Sequence, residues 1–408
     1  MRPELLTLPI IDWPVKSYGA MLTVGFLTAV WLSIKRAERL KMDPDIVLNI
    51  SMVCLACGVV FARVFYVVHY WSASFKDQPS PIMAALNFTS GGLEFYGGLI
   101  GAIVGAVGYM AIKRVSIRMY TDLLAPAAAW GLAFGRVGCL LNGCCWGGIC
   151  VDPQGHNTVP WAIRFPHGSP AEVRQWENRQ LTLPAELIFT RPGVAESFPV
   201  SARLLHRPID KVLEPFRDVR DLQETIREAK AQSVDPSRIA AMQKELDRKK
   251  RELRRHEGEL APLLYARSFP SRADPARMAT FTEIEDLMNR YRSVPVHPAQ
   301  VYGVINALII SWVLLEILYR RKRHGVVFAW LCILYPITRI VLEMVRVDNP
   351  HDSAGLTISQ AVSLGMITFG IIALLVLYRL PLRSPRAVPF VPPQDDQPPK
   401  HAPSTAHG

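Results

Sequence analysis

Charge is scarce in this chain: Asp, Glu, Lys and Arg make up 20% of its 408 residues, against 50% hydrophobic. That balance disfavours an ordinary soluble protein, whose surface needs more polar cover. No nucleic-acid-binding motif occurs, so no nucleic-acid partner is expected and the net charge of +11 has another origin. The basic residues cluster beside apolar runs, where they orient helices in a membrane. The opening stretch, Met1 to Lys16, lacks the basic, apolar, small-residue order of a cleaved signal and is expected to be retained. Cys139, Cys144, Cys145 and Cys150 follow no common zinc-ligand spacing, so neither a metal nor a cofactor is expected.

What is present is a series of apolar runs. A membrane-spanning helix needs about 20 mainly apolar residues, and seven segments approach that length: Ser17 to Ile34, Ile46 to Trp71, Gly92 to Ile112, Leu123 to Leu141, Ala299 to Tyr319, Val326 to Val345 and Leu356 to Tyr378. Lys35, Arg36, Arg39 and Lys41 follow the first run, Lys113, Arg114 and Arg118 the third, Arg320 to Arg323 the fifth, and Arg379, Arg383 and Arg386 the seventh. The alternate loops are poor in Lys and Arg, which puts the N-terminus outside and the C-terminus in the cytoplasm. The expected fold is an all-α integral membrane protein with seven transmembrane helices and an extracytoplasmic inserted domain.

The chain divides accordingly into membrane helices 1–4 over 1–150, an extracytoplasmic head region over 151–296, membrane helices 5–7 over 297–379, and a Pro-rich tail over 380–408 expected to be disordered. Within the head, Val219, Leu222 and Ile226 keep helical spacing, and Ile239, Leu246, Leu253 and Leu260 recur at heptad spacing in a charged background. With Ser233 to Ser237 as the break, that pattern predicts a helical hairpin with a thin seam, a solvated insert, with a partner-binding module as the alternative.

The polar residues inside the apolar runs collect at one side. Tyr18, Arg63, Tyr66, Tyr70, Glu94, Tyr96, Arg136, Asn142, His297, Gln300, Tyr302, Tyr335, Arg339, Glu343, Arg346 and Gln360 all fall in the outer half of the bilayer in this topology. At about 1.5 Å rise per residue, Arg339 lies roughly 10 Å below Arg346, too deep for easy hydration. Tyr335, Arg339 and Glu343 share a helix face, so Glu343 can pair with Arg339. An intramembrane arginine is a functional-site hypothesis by default; snorkelling to the headgroups and helix tying by Arg–Glu pairs are the alternatives, and Arg63 fits a packing or interfacial role equally well. Arg136 and Arg339 together favour function, because two guanidinium groups on one cavity repel unless an anion, here a lipid phosphate, lies between them. Gly91 to Gly101, including Gly97 and Gly98, allows close helix approach or an irregular backbone beside that cavity. The tyrosines fit an interfacial aromatic belt as an alternative.

These blocks resemble the bacterial phosphatidylglycerol–prolipoprotein diacylglyceryl transferase family. The resemblance rests on Tyr18-Gly19, Arg63-Val64-Phe65-Tyr66, Gly91 to Gly101, Asp122 to Pro126, Gly135-Arg136-Val137-Gly138 with Asn142-Gly143 and Trp146-Gly147, His297 to Tyr302, and Tyr335 to Arg346. It implies transfer of the diacylglyceryl group of phosphatidylglycerol to the lipobox cysteine of a prolipoprotein signal peptide, at the outer face of the bacterial cytoplasmic membrane. By that resemblance Arg136, Arg339, Tyr96 and Tyr18 are catalytic. Arg136, Asn142, Gly97, Gly98, Arg63, Tyr66 and Tyr335 bind lipid phosphate, with Glu343, Arg346, His297, Gln300, Tyr302 and Gly147 in support.

The chain departs from the family's common pattern where Tyr96 replaces a histidine, Cys144 an acidic residue and Cys139 an asparagine. A phenol titrates near 10 unperturbed, so Tyr96 either positions the phosphate or acts as an arginine-assisted base, with His297 or Glu94 as substitutes. On the outer side the cysteines either join, Cys144 or Cys145 to Cys150, or stay as thiols. A catalytically silent lipid-binding relative and a transporter are the competing functions; the transporter reading is weaker because the polar residues stop at the outer half instead of serving both faces.

Overall fold

The structure is a computed structural model that describes residues 4–8, 13–76, 80–87, 92–152, 154–190, 197–200, 209–231, 235, 237–250, 281–346, 357–387 and 389. It is mostly helical. In chain order the elements are β1 (Glu4–Leu8), β2 (Trp13–Lys16), α1 (Ser17–Arg39), α2 (Pro44–His69), a π-helical turn (Trp71–Phe75), α3 (Pro81–Leu86), α4 (Phe95–Ile112) and α5 (Ile117–Asn142). There follow α6 (Pro170–Glu177), β3 (Ile188–Thr190), β4 (Ser197–Pro199), α7 (Ile209–Ala231), α8 (237–250), α9 (Phe281–Arg290), α10 (Ala299–Arg320), α11 (Val326–Val345) and α12 (Ile358–Arg379). Helices α1, α2, α4, α5, α10, α11 and α12 are each long and apolar enough to cross a membrane. The seven expected spans are therefore all present, and the protein is a multi-pass membrane protein. Two short antiparallel hairpins, β1–β2 and β3–β4, add a little strand to the all-α expectation.

The chain forms two compact units: Tyr18–Gly138 with Tyr302–Glu343 and Pro350–Gly408, and Met1–Ser17 with Cys139–Val301 and Met344–Asn349. The first contains nearly all of the helical bundle. Its helices meet where side chains are missing. A Cβ at Gly97 would fall 2.7 Å from the Phe61 carbonyl oxygen, and one at Gly101 2.6 Å from that of Cys57. One face of α4 thus lies directly on the backbone of α2, the close approach that small residues permit. Antiparallel α1 and α5 are in register through Tyr18 at Gly138, Gly25 at Phe134 and Thr28, whose hydroxyl accepts from Trp130 Nε1 at 3.0 Å. Ser311 of α10 donates to the Pro126 carbonyl of α5 at 2.8 Å, and Asn306 donates to Thr338 of α11 at 2.9 Å. A core including Ile50, Met110, Leu123, Leu314 and Val327 fills the bundle.

Asp122, fully buried near the start of α5, organises the end of the bundle at which the basic clusters lie. Its carboxylate accepts from the Gly325 and Phe328 amides at 2.6 and 3.0 Å, capping α11, and pairs with Arg321 at 3.0 Å. An acidic group at a helix N-terminus satisfies amides that the helix leaves unbonded. Residues 380–387, expected to open a disordered tail, instead pack here: Arg118 donates to the Pro381 carbonyl, Arg323 to that of Leu380, and the His324 amide to that of Leu382. Carbonyls freed at the end of α12 thereby find cationic donors. Residues 391–408 lie outside the described residues.

The second unit, the head unit, takes in most of the chain between α5 and α10. Trp146, Phe165, Ala171 and Val296 form its core. His167 and Glu172, both with side chains fully buried, pair at 3.0 Å, and the other imidazole nitrogen faces the Val200 carbonyl at 3.0 Å. The predicted hairpin is present as α7 and α8: Val219, Leu222 and Ile226 pack against Met242 and Leu246, and Lys249 pairs with Asp218 at 2.6 Å. Leu253 and Leu260 of the predicted seam lie outside the described residues.

Candidate active site

The expected site residues fall in both units. In the bundle, Arg136 lies near the end of α5, and its side chain runs along the bare backbone of α10 at Gly303. A Cβ there would sit 3.1 Å from Arg136 Cγ and Cδ and 3.3 Å from Nε. The arginine is half-buried, and among the described residues its guanidinium has no hydrogen-bond or ion-pair partner. A half-buried cation with no counter-charge among the described residues can receive an anion, since burying charge unpaired is unfavourable.

Arg339 is placed differently. It is buried and ion-paired with Glu343 one turn along α11, as the shared helix face predicts. Glu343 also accepts from the Thr357 hydroxyl at 3.2 Å. Thr357 caps α12 in a capping box with Gln360, so the same hydroxyl both starts that helix and holds the carboxylate that holds Arg339. Because Glu343 already answers one unit of charge, Arg136 is the more available of the two guanidinium groups. Gly303 and Asn306 are one turn apart on α10, so the contacts of Arg136 and of Thr338, the neighbour of Arg339, sit within about 5 Å of depth. Tyr302 and Tyr335 are half-buried in these same helices.

Elsewhere in the bundle, other residues expected at the site make packing contacts. Arg63 is buried, donating from Nε to the Ala85 carbonyl at 2.8 Å, from Nη2 to that of Ala84 at 2.8 Å and from Nη1 to that of Gly92 at 3.0 Å. It closes the end of α3 and stacks near Tyr66 and Phe75. Tyr66 in turn lies on Gly92, whose φ of +78° and lack of a side chain make room for the ring, with Tyr70 at 4.7 Å between centroids. Gly97 and Gly98 face α2. Tyr96 is 39% exposed and packs edge-on against Phe95, with no polar partner among the described residues. Glu94 Oε1 lies 3.4 Å from His69. Tyr18 covers Gly138 and is 39% exposed.

In the head unit, three chain segments are stitched together backbone to backbone. The Gly147 amide donates to the His297 carbonyl at 3.0 Å, the His297 amide to that of Gly148 at 2.9 Å, and the Gly148 amide to that of Val345 at 2.8 Å. Arg346 bridges to Gly147. A Cβ on Gly147 would lie 2.9 Å from the His297 carbonyl oxygen, so only glycine fits this junction. Gln300, fully buried, donates to the Cys144 carbonyl at 2.7 Å, and Asn142 ends α5 just before it. Cys144, Cys145 and Cys150 form no disulfide.

The family profile described as prolipoprotein diacylglyceryl transferase matches residues 5–376. The chain belongs to the prolipoprotein diacylglyceryl transferase family. It is 30% identical over 398 residues to the phosphatidylglycerol–prolipoprotein diacylglyceryl transferase of Rhodopirellula baltica, covering 90% of this chain and 73% of that one. It is 33% identical over 130 residues to proteins of the same name from Bacillus cereus and Bacillus anthracis, covering 32% of this chain and 47% of theirs. The match to the family takes in both arginine-bearing helices, α5 and α11, and the Gly147 junction between.

Sequence reasoning overlooked three residues that shape this member of the family. Gly303 directly follows Tyr302 and was legible only as one more small residue in an apolar helix. Thr357 stands before the last apolar run with Gln360 three positions on, a readable capping signature. Asp122 enters the sequence reading only as part of a motif; an acidic residue at the edge of an apolar run is the available signal.

Proposed function

We propose that this chain transfers the diacylglyceryl group of phosphatidylglycerol to the thiol of a lipobox cysteine in a prolipoprotein signal peptide. The thiolate sulfur attacks the glycerol carbon, a sulfur–carbon bond forms, the carbon–oxygen bond to phosphate breaks, and glycerol phosphate leaves with the electron pair. The thiol proton goes to a base or to solvent. A thiol of pKa near 8.5 attacks as its thiolate, and the phosphate gains charge as the bond breaks. Preorganised cations aimed at developing charge are usually the largest catalytic contribution. Arg136 is that cation, and Arg339, steadied by Glu343 and Thr357, supports it. Tyr96, Tyr18, Tyr302 and Tyr335 position the headgroup. The active site lies toward the extracytoplasmic face of the bacterial inner membrane, where both acyl chains remain in the bilayer throughout.

The observation that carries this reading is the half-buried Arg136 guanidinium, without a counter-charge among the described residues, resting on Gly303. Complementation of a strain depleted of its own transferase, scored by lipidation of a marker prolipoprotein, tests it. The parent chain rescues and Arg136→Ala does not. A chain that is folded in the membrane and fails to rescue is instead the silent lipid-binding relative. Tyr96→Phe with undiminished turnover removes that hydroxyl from the mechanism.

A further inference from the structure

The end of α5 gathers three thiols that the transfer reaction does not use. The sulfurs of Cys139, Cys144 and Cys145 all lie within 4.8 Å of one another. Residues at i, i+5 and i+6 do not share a face of a regular helix; the backbone after Asn142 brings them together. The Gly143 amide donates to the Leu140 carbonyl at 3.2 Å and the Cys144 amide to that of Cys139 at 3.1 Å, closing the turn. Gly143 and Cys145 both take left-handed conformations, with φ of 73° and 61°. The second is unusual for a residue with a side chain and is kept only where its surroundings enforce it.

We propose that Cys139, Cys144 and Cys145 bind a divalent, thiophilic d10 cation of the Zn²⁺ class. Zinc–sulfur bonds of about 2.3 Å in tetrahedral geometry put sulfurs about 3.8 Å apart, so the cluster closes on a metal by a movement of about 1 Å or less at each sulfur. Thiolates select soft metals such as Zn²⁺ and Cu⁺. Three thiolates leave a net charge of −1 on a divalent ion and −2 on a monovalent one; beside a membrane span the smaller residual charge is easier to hold. Cys139 is buried while Cys144 and Cys145 are partly exposed, which leaves the fourth position to water. Gln300, fully buried and donating to the Cys144 carbonyl, has an Oε1 without a donor among the described residues, an unused buried acceptor on a side chain that touches the cluster's own backbone. Binding converts three S–H groups to three metal–sulfur bonds and releases their protons, with no change of oxidation state.

Full-length protein in detergent micelles under reductant, loaded with Zn²⁺ and passed through gel filtration, is expected to retain about one ion per chain. Co²⁺ in its place is expected to give a sulfur-to-metal charge-transfer band, and Zn²⁺ to slow alkylation of Cys144 and Cys145 in the unmutated protein. Cys139→Ser, Cys144→Ser and Cys145→Ser each lose at least nine-tenths of the bound metal, whereas Cys57→Ser and Cys150→Ser keep it. Reduced parent protein that retains no Zn²⁺, or retention and alkylation rates that ignore these substitutions, overturns the proposal. So does a disulfide between two of the three cysteines with no metal uptake after reduction. Should Cys139→Ser fold poorly, the alkylation rates of the parent chain decide the matter.

Discussion

Replacing Gly303 by alanine separates the position of the Arg136 guanidinium from the stability of the bundle. The added methyl would lie 3.1 Å from two Arg136 side-chain carbons and 3.3 Å from Nε, and those are the nearest atoms it meets. Because the obstacle is a flexible side chain, the clash is relieved by displacing the arginine and not the helices. Alanine within a helix is favoured over glycine by about 0.5–1 kcal/mol, which offsets the crowding, so the thermal midpoint is expected to change little. The contacts require the arginine to give by a few tenths of an ångström; as misplacement by about 1 Å costs about 100-fold, turnover is expected to fall by about 3- to 5-fold, equivalent to about 0.7–1 kcal/mol of transition-state stabilisation. Gly303→Leu pushes further, toward the loss seen with Arg136→Ala. The assay is kcat/KM for transfer from phosphatidylglycerol to a lipobox peptide, with thermal unfolding of the same preparation in parallel. Gly303→Ala retaining kcat/KM within about twofold of the parent would refute the assignment of Arg136 to the developing charge. Activity lost together with the fold would refute the claim that the arginine alone yields.

Other substitutions probe the frame. Asp122→Ala leaves Arg321 buried without its partner and strips the cap from α11; breaking such a buried pair costs about 3–5 kcal/mol, so detergent-solubilised protein is expected to melt well below the parent. Gly101→Val drives a branched side chain into the Cys57 carbonyl, 2.6 Å from the built Cβ, and is expected to uncouple α2 from α4, read as lost yield and raised protease sensitivity. His324 is pushed down to about 4 by burial and by Arg321, Arg118 and Arg383. The folded state therefore holds it neutral while the unfolded chain, near 6.5, takes up a proton first. The fold is expected to weaken as pH falls from about 6.5 toward 4, and His324→Gln to flatten that part of the unfolding-against-pH curve. His167→Ala removes one half of a buried pair in the head unit and is expected to destabilise it, scored by hydrogen exchange around Glu172 and Val200.

The seven spans were readable from apolar run length, and α11 has the predicted bounds, Val326 to Val345. The start of α5 was not. Leu123 was expected because Arg118 and Asp122 interrupt the apolar run, yet the helix begins at Ile117. Asp122 is tolerated there because Arg321 and two amides, all distant in sequence, answer its charge. The Arg339–Glu343 pair was legible from helical spacing, since both members lie on one element. Arg63 was ambiguous because its partners are carbonyls of residues that a hydropathy pattern does not place.

By itself the sequence determined that this is a helical membrane protein, how many spans it has, that polar groups concentrate toward one end of them, and which family its motifs resemble. Those properties follow from composition and periodicity, which the bilayer converts directly into structure. Only the tertiary structure decided that Arg136 rests on Gly303 with no counter-charge among the described residues while Arg339 is ion-paired, that Arg63, Gly97 and Gly98 make packing contacts, and that three cysteines meet at the end of α5. Each depends on which backbone passes close to which side chain, a property of pairs of segments far apart in the chain.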